Sequence, residues 1–443
     1  MGQGPDIKAG RLPPAHLAAN FADLAPPLAP NEARVAAERC LFCYDAPCVK
    51  ACPTAIDIPL FIRQIAADNA GGAAKTILDA NIMGGMCARV CPTETLCEEV
   101  CVREVAEGKP IEIGRLQRHA TDHLFASGKQ LYHQGPMTGK RVAVVGAGPA
   151  GLACAHRLAM LGHAVTIFEA RQKPGGLNEF GIAAYKTVDE FAQAEVDYIL
   201  GIGGITLELG QRLGQQISLA QLRQDYDAVF IGAGLGGNNA LGLETGFPES
   251  ADAVDFIAEL RQARNLTGLA TGRRIVVIGG GMTAIDIASQ TRRLGAEEVT
   301  IVYRRGPKQM NASRYEQELA QTDGVLIRHW LRPHSLLGSA GHLTGVRLEY
   351  TSLNNGKLEG TGETLDLACD QLYRAIGQTL VEADFACALS LQDGRIAIDA
   401  ERRTSLSGVW AGGDCAHGGK DLTVSAVEDG KQAAHSIDRA LKA

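Results

Sequence analysis

The sequence has no surplus of basic residues: 43 Lys and Arg stand against 50 Asp and Glu, a formal charge of −7. Nucleic-acid binding needs a basic face, so no such partner is expected. No apolar run approaches the roughly 20 residues of a membrane span. The opening MGQGPDIKAGRLPPAH holds no apolar core of a secretory signal, and Asp6 stands where myristoylation prefers Ser or Thr. The expected location is cytoplasmic, with no membrane attachment. In that compartment the 12 cysteines read as metal ligands or catalysts more readily than as disulfides. At 443 residues and 46% apolar composition, the chain can bury two or three cores.

Eight cysteines fall between Cys40 and Cys101. They read Cys40-x2-Cys43-x4-Cys48-x3-Cys52-Pro53 and Cys87-x3-Cys91-Pro92-x4-Cys97-x3-Cys101. Paired short spacings suit two structural zinc sites. They also suit two iron–sulfur clusters, and a Cys-Pro after an x3 spacing, at Cys52 and Cys91, echoes ferredoxin runs whose last cysteine reaches another cluster. Spacing gives two all-cysteine sites but not their partition. The surrounding stretches 32–39, 59–67 and 114–125 carry apolar residues near helical spacing, with no strand pattern. Residues 1–137 are thus expected to form a small all-α domain, entered by an extended Pro- and Ala-rich lead-in of about 30 residues.

At Lys140 the pattern changes. A β-branched run over 141–145 ends in Gly146-Ala147-Gly148-Pro149-Ala150-Gly151, followed by a helical stretch and a second strand ending in Glu169. This is the dinucleotide-binding βαβ signature. Gly146 allows the tight turn, Gly148 lets backbone approach a pyrophosphate, and Gly151 lets helix and strand pack closely. The helix N-terminus favours the phosphates, and Glu169 can accept from a ribose. The unit recurs: strand 274–278, turn Gly279-Gly280-Gly281-Met282-Thr283-Ala284, helix, and strand 299–303 ending in Arg304-Arg305. Return strands run at 226–231 and at 371–376 before Gly377, and the end reads Gly408-Val409-Trp410-Ala411-Gly412-Gly413-Asp414 before a Gly-rich loop and a last helix over 423–441. The predicted fold is α/β, with two Rossmann-like domains, one inserted in the other: 138–238 and 373–443 around 239–372.

Gly146-x-Gly148-x2-Gly151 with Glu169, Lys173-Pro174-Gly175-Gly176-Leu177 and Gly412-Gly413-Asp414 resemble the two-dinucleotide-fold flavoprotein reductases. Behind this cysteine domain, almost the whole chain resembles a narrower group that includes glutamate synthase small subunits and dihydropyrimidine dehydrogenases. Cys40-Leu41-Phe42-Cys43-Tyr44-Asp45-Ala46-Pro47-Cys48, Cys52-Pro53-Thr54 and Ile113-Gly114-Arg115-Leu116-Gln117 favour the latter, in the form of the bacterial NADH-oxidising small subunits.

That resemblance implies a ligand set. Cys40, Cys43, Cys48 and Cys101 would hold one [4Fe–4S] cluster. Cys52, Cys91 and Cys97 would hold a second, with Gln117 as fourth ligand and Cys87 a spare thiol; whether Gln117 or Cys87 completes that site stays open. FAD would lie on Gly146, Ala147, Gly148, Pro149, Ala150, Gly151 and Glu169, with Gly176, Leu177, Lys186, Gly413, Asp414 and Thr423 around it. Asp414 would bond the ribityl chain, and the helix from Thr423 would face the flavin edge that gains negative charge. The nicotinamide cofactor would lie on Gly280, Gly281, Met282, Thr283, Arg304 and Arg305, with Ala375 and Gly377 completing the nucleotide-binding set. The arginine pair argues for NADP by charge. The resemblance argues for NAD, because Asn311 stands where the NADP-using animal enzyme has a further Arg, although Lys308 is near. NAD(H) is the expected cofactor, with NADP(H) possible.

No catalytic side chains are expected, since FAD carries the chemistry. Cys154, Cys369, Cys387 and Cys415 read as inert core thiols, and residues 239–372 hold no C-x2-C for disulfide chemistry. The chain has no sequence for an eight-stranded barrel, an FMN site or a second ferredoxin module. The implied activity is NADH oxidation feeding a large FMN- and Fe–S-bearing partner, in a heteromer such as a heterotetramer, that reduces uracil or thymine. The alternatives are a glutamate synthase small subunit and a non-catalytic Fe–S assembly subunit.

Overall fold

Short β-branched runs build two parallel sheets, one in each of the two units into which the chain divides. The computed structural model describes residues 6–243, 246–381 and 389–443. One unit draws on residues 25–179, 189–237 and 379–443, and the other on 6–24, 180–188 and 238–378. The second unit's sequence therefore enters the first at two places, 180–188 and 238–378, and also takes in residues 6–24.

In the first unit the sheet order is Val409–Ala411, Ala228–Ile231, Arg141–Val145, Ala164–Glu169, Ile205–Leu209, with all strands parallel. Arg141–Val145 is central, and both its faces are covered. Val142 and Val144 point into one core with the helices Pro149–Met160, Phe191–Leu200 and Thr423–Lys442; Ala143 and Val145 point into another with Leu219 and Leu222. A strand buried on both faces must be apolar throughout, which is why this one shows no alternation.

The cysteine region is all helical, from Pro30–Glu38 to Ile113–Ser127. Its core residues Phe61, Ile62, Ile77 and Leu116 are continuous with Val144 and Leu152 of the nucleotide fold. The helices expected at 59–67 and 114–125 are Ile58–Ala66 and Ile113–Ser127. Asp57 caps the former by accepting from Leu60 N (3.1 Å), and half-buried Glu98 accepts from Gly114 N (2.9 Å) at the start of the latter.

In the second unit the sheet order is Ser250–Asp252, Gln371–Ala375, Arg274–Gly279, Glu298–Tyr303, Leu326–His329, again parallel. Three longer strands, Leu331–Ser339, His342–Asn354 and Lys357–Ala368, form a separate antiparallel sheet that the sequence reading did not anticipate. The lead-in is only partly extended. Lys8 pairs with the Thr271 backbone, helix Pro14–Asn20 follows, and Leu17 and Phe21 enter this unit's core. Among the described residues no helix is long and apolar enough to cross a membrane.

One contact sets the geometry of the first unit. A Cβ on Gly430 would run into the Ala150 carbonyl oxygen and lie 2.9 Å from Cys154 N, so the last helix lies directly on Pro149–Met160. Gly430→Ala should push the two helices apart and cost about 1–3 kcal/mol. Thermal unfolding should shift down by several degrees, and a wild-type transition would show that the helices have slack.

Candidate cofactor sites

The two glycine turns adopt the same backbone path. Gly146 (φ +97°) and Gly279 (φ +150°) begin them in conformations that favour glycine. Gly148 (φ −82°, ψ −177°) and Gly281 (φ −94°, ψ −178°) then N-cap the helices Pro149–Met160 and Met282–Arg293, with no side chain capping either one. Gly151 abuts the Gly146 carbonyl, and buried Ala284 takes the equivalent place in the second turn. A Cβ on Gly281 would meet nothing within 4 Å; one on Gly148 would meet only Gly176 Cα, at 3.7 Å. Both caps therefore leave room, and unbonded helical N–H groups, for a phosphate.

The loop Lys173–Leu177 is tied to the first turn. Gly175 N donates to Ala147 O (2.8 Å), while Lys173 pairs with Glu179 (2.7 Å) and Gln193 Nε2 donates to Pro174 O (2.9 Å). Thr423 Oγ1 donates to Asn178 Oδ1 (2.7 Å), which brings the start of the last helix beside Leu177. Gly413 sits against Ala150 and donates its N–H to Asp429 (2.9 Å), and Asp429 also pairs with Arg402 (2.8 Å). Gly148, Gly176, Leu177, Gly413, Asp414 and Thr423 are thus linked around one turn. Glu169 is buried and already engaged: Oε2 accepts from Ala147 N and Oε1 from Arg171 N, both at 2.8 Å. Its remaining lone pairs can still take a ribose.

Lys186 lies in the other unit. Its ammonium is buried at 2.8 Å from both Asp286 and Glu316, and Ala183 N donates to the same Asp286 (3.2 Å). Burial disfavours the ammonium, but the two carboxylates outweigh it and hold Lys186 above the usual lysine range. In that unit Thr351 Oγ1 and Trp330 N donate to the Arg304 and Arg305 carbonyls (2.7 and 3.2 Å). Both arginine side chains are exposed, and neither has an ion-pair partner among the described residues. The Ala375 carbonyl abuts Gly279, and Gly377 O accepts from Asn239 N (3.1 Å). Met282 and Thr283 open the helix above this turn.

The cysteines separate into two neighbourhoods. Cys40, Cys43, Cys48 and Cys101 line one small apolar cavity with Ile58, Pro59, Ile62, Ile111 and Ile113. Burial, then the neighbouring thiols Cys40 and Cys101, push Cys48 up to about 12, and Cys40 is raised chiefly by burial. Elsewhere Cys91 is raised first by its hydrogen bond to Cys87, then by burial, with Cys97 and Cys52 adding to it. Cys97 is raised by burial, Glu98, Cys52 and then Cys48, so the two neighbourhoods adjoin. Crowded thiols resist ionisation because their charges repel; cationic iron removes that penalty, so the donor sets fit clusters. Among the described residues no three Cys, His, Asp or Glu side chains converge on a single-ion site.

Gln117 is buried and donates Nε2 to Gly84 O (2.7 Å), at the start of the helix Gly84–Val90 that carries Cys87 and ends at Cys91. Cys87 is thus beside Cys91, while the Gln117 amide is oriented by the same helix. Cys154, Cys369 and Cys415 are buried, and Cys387 lies outside the described residues. Glu195, absent from the sequence expectations, is a wholly buried carboxylate that accepts from Gly85 N (2.8 Å) and Met86 N (3.1 Å). No spacing signal marks such a residue.

Residues 140–430 match the family described as pyridine nucleotide-disulphide oxidoreductase, and residues 17–129 match dihydropyrimidine dehydrogenase domain II, 4Fe-4S cluster. The NAD-dependent dihydropyrimidine dehydrogenase subunit PreT of Escherichia coli O157:H7 is 37% identical over 96% of this chain and 98% of its own length. The chain belongs to the PreT subunit family. It is an oxidoreductase of the pyridine-nucleotide class with a 4Fe-4S domain, and the family match sides with clusters over zinc. The glutamate synthase [NADPH] small chain of E. coli K12 is related more distantly, at 31% over 94% of this chain and 93% of its own length. Among solved structures, Mycobacterium tuberculosis FprA in complex with NADPH aligns with TM-score 0.58 and 20% identity, over 70% of this chain and 85% of that one. That likeness shows the two-dinucleotide fold.

Asp414 yields a pH prediction. Burial, with Asp421 and Asp429 nearby and only Arg395 opposing them, pushes its carboxyl up to about 6. The unfolded chain ionises first, so this group costs stability as pH rises from about 4 to about 6, and the cost stays above that. Asp414→Asn should therefore stabilise flavin-free protein at pH 7.5 by at most about 3 kcal/mol, an advantage that shrinks toward pH 4. Urea unfolding at the two pH values reads this directly; equal midpoints at pH 7.5 would contradict it.

Proposed function

We propose that this chain is the electron-input subunit of a cytoplasmic dihydropyrimidine dehydrogenase. It oxidises NADH and hands the electrons to a large FMN- and Fe–S-bearing subunit that reduces uracil or thymine to the 5,6-dihydro product, in a heteromer such as a heterotetramer. The observation that carries this reading is the near-full-length similarity to the PreT subunits, over a chain with both glycine turns and both thiol neighbourhoods. When bound, FAD takes the two electrons of a hydride and Fe–S clusters pass on one at a time.

The chain's own residues then have holding roles. Gly146–Gly151, with Gly176 and Leu177, would hold the FAD pyrophosphate, and Glu169 its ribose. Asp414 would hold the ribityl chain, while the uncapped N-terminus at Thr423 would favour negative charge on the flavin. Gly280, Gly281, Met282 and Thr283 would hold the nicotinamide cofactor's phosphates. Lys186 is paired with Asp286 and Glu316, so it would act on the flavin only if those ion pairs open. Cys40, Cys43, Cys48 and Cys101 would hold one cluster; Cys52, Cys91, Cys97 and Gln117 the other. With Nε2 given to Gly84, the amide oxygen of Gln117 is its remaining donor toward iron.

The similarity to a glutamate synthase small chain supports a second reading, in which the same relay feeds another acceptor. Protein purified without oxygen should contain about eight iron and eight sulfide per chain, from two clusters of four, and its flavin should bleach with NADH. Zinc without iron would overturn the relay, and an unbleached flavin would favour a non-catalytic assembly role. With a candidate large subunit, NADH-dependent reduction of uracil, and not of 2-oxoglutarate plus glutamine, is the expected activity. Arg304→Ala and Arg305→Ala should each lower kcat/KM for NADPH by about 10- to 100-fold, the loss of a charge-assisted hydrogen bond, with a smaller change for NADH. Equal losses for both would assign the pair to neither cofactor.

A further inference from the structure

The helix Gly84–Val90 is a poor helix by sequence. It is seven residues long, opens on two glycines, and its N-cap Met83 offers no side-chain acceptor. Yet Cys91 is its C-cap, and its first carbonyl, on Gly84, holds the Gln117 amide at 2.7 Å. Two proposed donors to the second cluster therefore depend on where this short helix lies. What fixes it comes from more than 100 residues later in the chain.

Helix Phe191–Leu200 lies against it and grips it at two points one turn apart. Glu195 Oε1 accepts from Gly85 N (2.8 Å) and Met86 N (3.1 Å), and Oε2 lies 3.3 Å from Met86 N. The Phe191 ring receives the Arg89 guanidinium, 3.4 Å from its centroid. Arg89 in turn donates to Gly85 O (3.0 Å) and pairs with Asp122 (2.6 Å) on the Gln117 helix. Gly85 has to be glycine: a Cβ there would lie 2.5 Å from the Phe191 ring and 2.8 Å from Glu195 Oε1. Glu195 is 0% exposed, so nothing but these groups compensates its burial. Burial pushes its carboxyl up to about 8, against the Met86 and Gly85 N–H groups and Arg89, and in either protonation state an oxygen remains to accept.

We propose that Glu195 is a positioning residue for the second cluster. It supplies the missing N-terminal acceptors of the Gly84–Val90 helix and so places Cys91 and the Gln117 anchor together. This rests on the ligand partition proposed above.

The test uses full-length protein purified without oxygen, read by iron, sulfide and flavin content and by electron paramagnetic resonance after dithionite reduction. Wild type should show two cluster signals. Glu195→Gln keeps an acceptor oxygen for both N–H groups and should keep both signals. Glu195→Ala should lose one signal and about half the iron, while the other signal, the flavin and its bleaching by NADH persist. Both signals intact in Glu195→Ala would overturn the proposal, as would Gln and Ala failing alike. Should the Ala variant lose flavin as well, Glu195→Asp decides, because it withdraws the acceptor by one methylene. The second cluster's g-values should then shift with the first's unmoved, and unshifted values overturn the proposal. Wild type with one cluster or none removes the ligand partition and this role together. Two clusters in wild type, indifferent to position 195, sink the positioning role alone.

Discussion

The first unit depends on how closely two helices can lie. With Gly430 over Ala150 and Cys154, Thr423–Lys442 rests on the helix that begins at the first glycine turn. Everything on the last helix is then measured from that turn. Asp429, one residue before the crossing, takes the Gly413 N–H, and Thr423, near its start, reaches Asn178. A strand from residue 141, a loop from 173 and a return from 409 meet because one side chain is missing from one helix. The three segments share no local sequence that could bring them together.

Several buried or half-buried charges among the described residues are met by backbone N–H groups or by an opposite charge. Glu169 takes the N–H of Ala147, Glu98 that of Gly114, and Glu195 those of Gly85 and Met86. Lys186 is held by Asp286 and Glu316. A buried carboxylate without partners is too costly to keep, so each such residue marks a backbone segment that must be held still. In the first unit those segments are the glycine turn and the starts of the two helices that carry Cys91 and Gln117. The rigidity is placed where cofactors would touch the chain.

Local chemistry made much of this legible in the sequence. Gly146 and Gly151 are forced by turn and contact geometry and Gly148 leaves the cap open, so the first βαβ unit is legible residue by residue, and strand 141–145 has the expected bounds. The repeat at Gly279–Ala284 followed from the same physics. The antiparallel sheet was readable but was not read: Val346 and Leu348 alternate with Arg347 and Glu349, and Asn355-Gly356, both at positive φ, is a hairpin turn. The thiol neighbourhoods were legible only in part, since spacing fixes how many ligands there are and not which thiols share a cavity. Glu195 and the partners of Lys186 were not legible. Their contacts span 100 residues or more, and a lone acid on an amphipathic helix looks the same whether it faces water or a buried helix end.

The two turns finally show how one backbone path can serve two ligands. At the middle position, Ala147 gives its N–H to Glu169, and the strand thus ends in a carboxylate suited to ribose hydroxyls. At the matching position, a Cβ on Gly280 would run into the ring of Tyr303, and the strand continues into Arg304 and Arg305, whose exposed guanidinium groups have no ion-pair partner among the described residues. The helix caps, Gly148 and Gly281, are alike in backbone, and a phosphate would make the same demand of either helix start. What differs is the strand end, where the sugar edge would lie. On the reading proposed above, choice between nucleotides would therefore be separable from phosphate binding, because the turn and the strand end are built from different residues.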